Sequence, residues 1–299
     1  MANYDDLLSN NAPNAHGEQG SPLLSKEEYA AKKYAEREAV YELSDKTAMV
    51  VASDGGRFQK YLDVQAKFDR YSAVNALLIL AQKPEAVRLG SFDHWKSQGG
   101  FVKPGQTGIS ILEPGKEYER KDGNGTAISY NVKKVFDISQ VDTRKIRTTP
   151  TPSHNERQLL KALLYKAPMK VTGVDELPGD LGAVTHPETG EVSVRKGMDF
   201  SDTFRSVACE LCHAESVCDD STTDPMFTAY CASYILCKKY GVDTRDYHFD
   251  GISEKYKGLD TLIVKRELAQ IREAADAVSG RMAKQLDTAQ KAARTQEAR

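Results

Sequence analysis

From Phe58 the apolar positions Phe58, Tyr61, Leu62, Val64 and Phe68 recur at helical spacing, and the spacing predicts a helix. Ser72 stands where an N-cap belongs, opening a second helix over Ala73 to Gln82 that Pro84 stops. Ser91 caps a short third helix carrying Trp95, and Gly99-Gly100 breaks it. Two alternating runs, Ile109 to Tyr118 and Ala127 to Phe136, flank Asp122-Gly-Asn-Gly125 and predict a β-hairpin. Further along, the pattern predicts a helix over Ser153 to Lys166, a strand near Met169 to Val174, and a hairpin over Ala183 to Val194 around Pro187-Glu-Thr-Gly190. Two helices follow, one capped by Ser201 and one opened by Asp224-Pro225 and closed by Gly241. A long terminal helix from Leu259 to Leu286 shows Leu262, Ile263, Leu268, Ile271, Ala275, Val278 and Met282 at helical spacing.

Polar stretches divide these elements. Residues 1–24 have no hydrophobic period and read as a disordered tail. Ser25-Lys-Glu-Glu28 has the form of a capping box, starting an N-terminal helix over 25–55 that Asp54-Gly-Gly56 ends. The polar, proline-bearing run at 139–155 predicts a linker at 141–152 between a first domain, 56–140, and a second, 153–285, with a polar tail at 286–299. The fold class is α+β, helices on a small antiparallel sheet followed by a second helix and sheet domain.

Composition changes this picture little. Across 299 residues, 40% are hydrophobic and 28% charged, ordinary for a globular chain. No apolar run is long enough to span a bilayer and the acidic N-terminus is no signal peptide, so the expectation is a cytoplasmic protein without a membrane partner. Charge is uneven. Residues 57–150 hold 16 Lys+Arg against 10 Asp+Glu in a chain of formal net charge −2, a surplus that fits a phosphate backbone or a solvated surface equally.

The five cysteines, Cys209, Cys212, Cys218, Cys231 and Cys237, crowd into 29 residues, and their odd number argues against a disulfide framework. Cys209 and His213 are four apart, so on a helix they leave the same face. Glu210 sits where the general base of the helical motif H-E-x-x-H stands, although this chain reads C-E-L-C-H. Zinc held by a Cys209 thiolate and a His213 imidazole would activate water, with Glu210 taking the proton. A thiolate donates more charge than imidazole, so such a site binds zinc well and hydrolyses poorly. The alternative is packing: buried thiols, a satisfied helix histidine and a carboxylate paired with a neighbouring base.

The motifs together resemble the ArdC-type antirestriction family of conjugative elements over about residues 57–275. In the first half the resemblance rests on Tyr71-Ser-x-x-Asn75, Ser91-Phe-Asp-His-Trp95, Gly99-Gly-x-Val-Lys-Pro-Gly105, Gly108-Ile-Ser-Ile-Leu112 and Val135-Phe-Asp-Ile-Ser-Gln140. In the second it rests on Glu210-Leu-x-His-Ala214, Ala229 to Tyr234, Cys237, Tyr240-Gly-Val-Asp-Thr244 and Tyr247-x-Phe249. It implies a single-stranded-DNA-binding domain followed by a zincin-like metallopeptidase domain. Two positions depart from the family: Cys209 replaces the first histidine ligand, and Tyr230 stands at the third ligand's glutamate position. With Cys231 as a substitute, a Cys-Cys-His set is the alternative.

For DNA, Trp95 and Phe101 are candidates to stack on bases, and Lys96, Lys103, Lys133 and Lys134 to meet phosphates; Asn75 either binds a nucleotide or caps a helix end. A lone tryptophan also suits a core, and each lysine also suits solvent. Three functions follow: a DNA-binding mobile-element protein with an impaired peptidase domain in an antirestriction or DNA-escort role, an active zinc metallopeptidase cleaving a host or regulatory protein or peptide, and a metal-free interaction protein with a protein partner.

Overall fold

The structure, a computed structural model, describes residues 25–119, 125–146, 153–216 and 224–297, with side chains to Thr288. The expected 1–24 tail, the hairpin turn around Asp122, most of the 141–152 linker and Cys218 lie outside them. The chain divides into two compact units at Glu36/Arg37. In the first, the capping box forms as expected: the Glu28 carboxylate accepts from the Ser25 N–H at 2.8 Å and the Ser25 hydroxyl accepts from the Glu28 N–H at 3.1 Å.

Helix α1 spans Lys26–Ala52, α2 Gly55–Lys67 and α3 Ala73–Gln82. Asp54-Gly-Gly56 works in the opposite sense to the sequence expectation. Asp54 is the N-cap of α2, accepting from the Arg57 N–H, and the glycines begin that helix instead of ending the one before. Ser72 and Ser91 cap α3 and α4 (Phe92–Ser97) as expected, accepting from Asn75 and His94 N–H groups. Strand β1 (Leu89–Gly90) pairs with β4 (Thr126–Asp137), which pairs with β3 (Ile109–Glu119) in antiparallel register, Ile111 opposite Lys133 and Pro114 opposite Tyr130. A separate ribbon joins β2 (Phe101–Val102) to β5 (Val141–Asp142).

Strand β3 lies at the edge of its sheet, and α3 covers it. Asn75 and Gln82, seven residues apart on one face of α3, present their amides to the strand's backbone. The Asn75 amide donates to the Leu112 carbonyl and accepts from the Leu112 N–H, both at 2.8 Å. Gln82 does the same for Ser110, at 2.9 and 2.8 Å. Asn75 is therefore committed to the sheet, and its buried amide is a structural clamp.

In the second half, α5 runs Glu156–Leu164, capped by Asn155 in a capping box with Gln158 and starting three residues later than its pattern predicts. Strand β6 (Lys170–Val174) lies parallel to β8 (Glu191–Arg195), and β7 (Ala183–His186) forms the expected hairpin with β8. Helix α6 spans Phe200–Glu215 and is capped by Asp199, one turn-start earlier than the expected Ser201. Helix α7 (Pro225–Tyr240) has Pro225 in its first turn and left-handed Gly241 at its C-cap, φ 71°, as the sequence predicts. After the short α8 (Ile252–Lys255), α9 runs Thr261–Glu297. It passes through the expected polar tail, whose Ala, Lys, Gln and Arg residues are strong helix formers. No helix among the described residues is long and apolar enough to cross a membrane.

One hydrophobic core runs from the end of α1 through α2, α3 and the β3–β4 sheet into α5, α6, α7 and α9. Its seam is α2 against α7 and the segment at 247–256. The fully buried Phe58 ring meets Phe227, Phe249 and Tyr256 at centroid distances of 5.8, 5.7 and 5.9 Å. Asp63 accepts from the Tyr234 hydroxyl at 2.7 Å, and Asp69 pairs with Lys239 at 2.6 Å. At the start of α2 a Cβ on Gly55 would lie 2.2 Å from the Phe249 carbonyl oxygen, so only glycine admits this approach.

Two outcomes follow. Gly55→Ala forces α2 off Phe249 and lowers unfolding stability by about 1–3 kcal/mol, read as a lower denaturant midpoint. Asn75→Ala leaves the buried Leu112 N–H and C=O without partners and costs about 2–3 kcal/mol, while a substitution at exposed Lys96 leaves the midpoint unchanged.

Candidate nucleic-acid cleft and peptidase-like site

The largest described cavity, about 560 Å³, opens where the N-terminus of α3 meets the β3–β4 hairpin and the β1–α4 turn. Arg70, Tyr71 and Ser72 form one wall, Ile111 to Pro114 with Tyr130 and Lys133 another, and Gly90, Ser91 and His94 a third. Arg272 of α9 closes it from the second half of the chain. Local sequence explains the walls. A Cβ on Gly90 would come within 2.4 Å of the His94 ring and 2.9 Å of the Trp95 ring, so glycine lets α4 fold back over β1. The half-buried Tyr71 ring packs edge-on against Phe68 at 6.0 Å, and burial pushes its phenol up while Lys133 pulls it down.

The charges in the cleft are unequal. Lys133 is paired with Glu113 at 2.6 Å. Arg70 is exposed and makes no ion pair among the described residues. Arg272 has long contacts alone, its Nε and Nη2 each 3.4 Å from the Asp69 carbonyl oxygen and Nη2 3.7 Å from Asp276. Tyr130 keeps 38% of its surface exposed at the rim. Two guanidinium groups and two tyrosines thus share one open concavity, which suits a flexible polyanion bearing flat rings.

Of the residues singled out for DNA contact, Asn75 and Lys133 line the cleft, Asn75 with its amide already committed. Trp95 is fully buried, its Nε1 donating to the Phe136 carbonyl at 2.9 Å, and it serves the core. Lys134 donates to the Ser110 hydroxyl at 2.5 Å and Lys103 to the Ser139 carbonyl at 3.0 Å. Phe101 and Lys96 are exposed outside the cleft. Sequence reasoning on contacts passed over Arg70, Tyr71, His94, Tyr130 and Arg272. Arg70-Tyr71, a cation and an aromatic directly before a helix cap, was the available signal for the first pair; Arg272 carries none, because its position is set by tertiary packing.

The second candidate centre lies on α6. Cys209 and His213 are both half-buried, one turn apart, and the Glu210 carboxylate accepts a hydrogen bond from the Thr185 hydroxyl on β7. Burial, then the Glu210 charge, push the Cys209 thiol up to about 11 against a weaker opposing contact from Ser233. Tyr230 faces away from a ligand role: its hydroxyl accepts from the His248 N–H at 2.7 Å and lies 3.4 Å from the His248 carbonyl, and burial raises its phenol further. Cys231 is fully buried. Among the described residues no three His, Cys, Asp or Glu side chains converge as metal ligands. The side chains as arranged do not fit the three-donor set of a zinc hydrolase.

Comparison with known proteins bears on the first half. Two solved structures are similar in part: the antirestriction ArdC protein from R388 plasmid in its metal-free and Mn(II)-bound structures. Each is 16% identical with a TM-score of 0.49, covering 72% and 71% of this chain and 86% and 85% of theirs. No curated protein matches the chain. Residues 42–157, which supply every wall of the cleft except Arg272, match the family model described as the N-terminal domain of anti-restriction factor ArdC. By that domain the chain is a member of the ArdC-type antirestriction family.

Proposed function

We propose that this protein binds single-stranded DNA in the cleft between α3 and the β3–β4 hairpin, and through it protects or escorts DNA against restriction. The observation that carries the reading is the joint presence of Arg70, Arg272, Tyr71 and Tyr130 on one open concavity. A duplex keeps its bases stacked inside, whereas a single strand offers each base's face to an aromatic ring and its phosphates to the flanking cations. The Lys133–Glu113 pair stands beside these groups and leaves Arg70 and Arg272 as the cations for phosphate. Membership of the antirestriction family and the local surplus of positive charge agree with this reading.

The second half, on this reading, is a zincin-like domain without working peptidase chemistry. Glu210 is held by Thr185, Tyr230 by the His248 backbone, and the Cys209 thiol by burial. No step through a metal is drawn from residues so arranged. The domain contributes its packing surface and α9.

Fluorescence anisotropy with a labelled oligonucleotide tests the DNA reading. Affinity for a single strand is expected to exceed that for the matching duplex and to fall with salt, the logarithmic slope measuring the phosphates engaged. Tyr130→Ala is expected to weaken binding about tenfold or more, and Arg70→Ala to lower the slope by about 0.7. Equal affinity for duplex, or binding indifferent to both substitutions, refutes the assignment. Metal analysis of the purified protein tests the second half: well under one zinc per chain is expected, unchanged in Cys209→Ser. One zinc per chain, lost in that variant, restores the metallopeptidase reading and calls for a chelator-sensitive protease assay with Glu210→Gln.

A further inference from the structure

We propose that Arg272 of α9 is a phosphate-binding residue of the cleft, so that the strand-binding site is composite and incomplete in the first half alone. The inference rests on the single-strand reading above. Arg272 lies on the terminal helix, some 115 residues beyond the end of the segment that matches the family's N-terminal domain, yet it lines the same cavity as Arg70 and Tyr71. It is held there by packing. Ile271, Ala274 and Ala275 around it are buried in the main core, and the Asp69 carbonyl oxygen sits 3.4 Å from both Nε and Nη2.

The electrostatics leave that guanidinium available. The nearest acidic group, the Asp69 carboxylate, is occupied by Lys239 at 2.6 Å and does not neutralise it. Asp276 is the remaining acidic neighbour, at 3.7 Å and with 54% of its side chain exposed, a long contact screened by water. A guanidinium carries five N–H donors in a fixed fork, and two long contacts to one carbonyl leave most of that capacity for an incoming phosphate. Arg70 flanks the cleft on the same side, at the end of the turn that begins with Asp69. The two cations come from opposite halves of the chain, and a phosphate between them joins α3 to α9.

Salt titration of oligonucleotide binding by the full chain tests this. Arg272→Gln is expected to weaken binding about five- to tenfold near physiological salt and to reduce the log–log salt slope by about 0.7, one phosphate contact on a single strand. Arg272→Lys keeps the slope, because the charge stays. Lys284→Ala, exposed on α9 three turns farther along, is the charge control and leaves slope and affinity unchanged. A purely structural role for Arg272 would lower the unfolding midpoint without moving the slope. A full wild-type slope in a folded Arg272→Gln, with Arg70→Ala still losing its contact, overturns the composite site and leaves the cleft reading intact. Wild-type protein that does not bind a single strand overturns both. Should Arg272→Gln fail to fold, the Lys variant decides: an unchanged slope supports the inference only if an Arg272→Met variant, keeping the stem without the charge, loses it, and a Met variant with the full slope overturns it.

Discussion

The absence of a side chain at position 55 is the constraint on which the arrangement of the two halves depends. Helix α2 begins against the backbone of Phe249, closer than any Cβ allows. Everything downstream on that helix is set by the approach: Phe58 enters the ring cluster of Phe227, Phe249 and Tyr256, and one to three turns on Asp63 and Asp69 meet Tyr234 and Lys239. An apolar contact sheathed in two charged ones holds register as well as distance. Because α2 leads directly into Arg70 and Tyr71, the same seam fixes where the cleft stands relative to α9.

Local signals in the sequence were reliable where a single turn of backbone decides the outcome. Ser72, Ser91, Pro225 and Gly241 mark helix ends because each satisfies or permits a backbone group within three residues of itself. Asp54-Gly-Gly56 misleads because glycines after a helix ordinarily close it, and here the tertiary approach of Phe249 recruits them to open the next one. Asp199 caps α6 in place of Ser201 because the chain turns into the helix two residues earlier, after the Gly197 turn. The α+β class and the order of hairpins and helices were legible for the same local reasons.

The binding site was less legible, since burial and pairing are decided by distant residues. Trp95 carries a large flat ring and would suit a base, yet Phe136 offers its indole a partner inside the core. Three of the four candidate lysines are tied to a glutamate, a hydroxyl or a carbonyl by the hairpin and its flanking turn. The resemblance on the α6 motif is similarly a resemblance of spacing. Cys209, Glu210 and His213 keep the helical offsets of a metal site, while Tyr230 and Thr185 make other bonds. What sequence spacing cannot carry is which donor turns toward which.

The pair of amides on α3 has a consequence for the sheet as a whole. Strand β3 is an edge strand, and an open edge is a template on which another chain can add itself. Asn75 and Gln82 occupy the backbone groups of Leu112 and Ser110 on that edge, each donating and accepting as a neighbouring strand would. Two side chains thus impersonate a strand. The sheet's opposite flank, β1, is two residues long, too short to offer a growing ladder much purchase. A protein that gathers along one nucleic-acid strand brings many copies of itself close together, and this blunting keeps those copies from stitching into a continuous sheet.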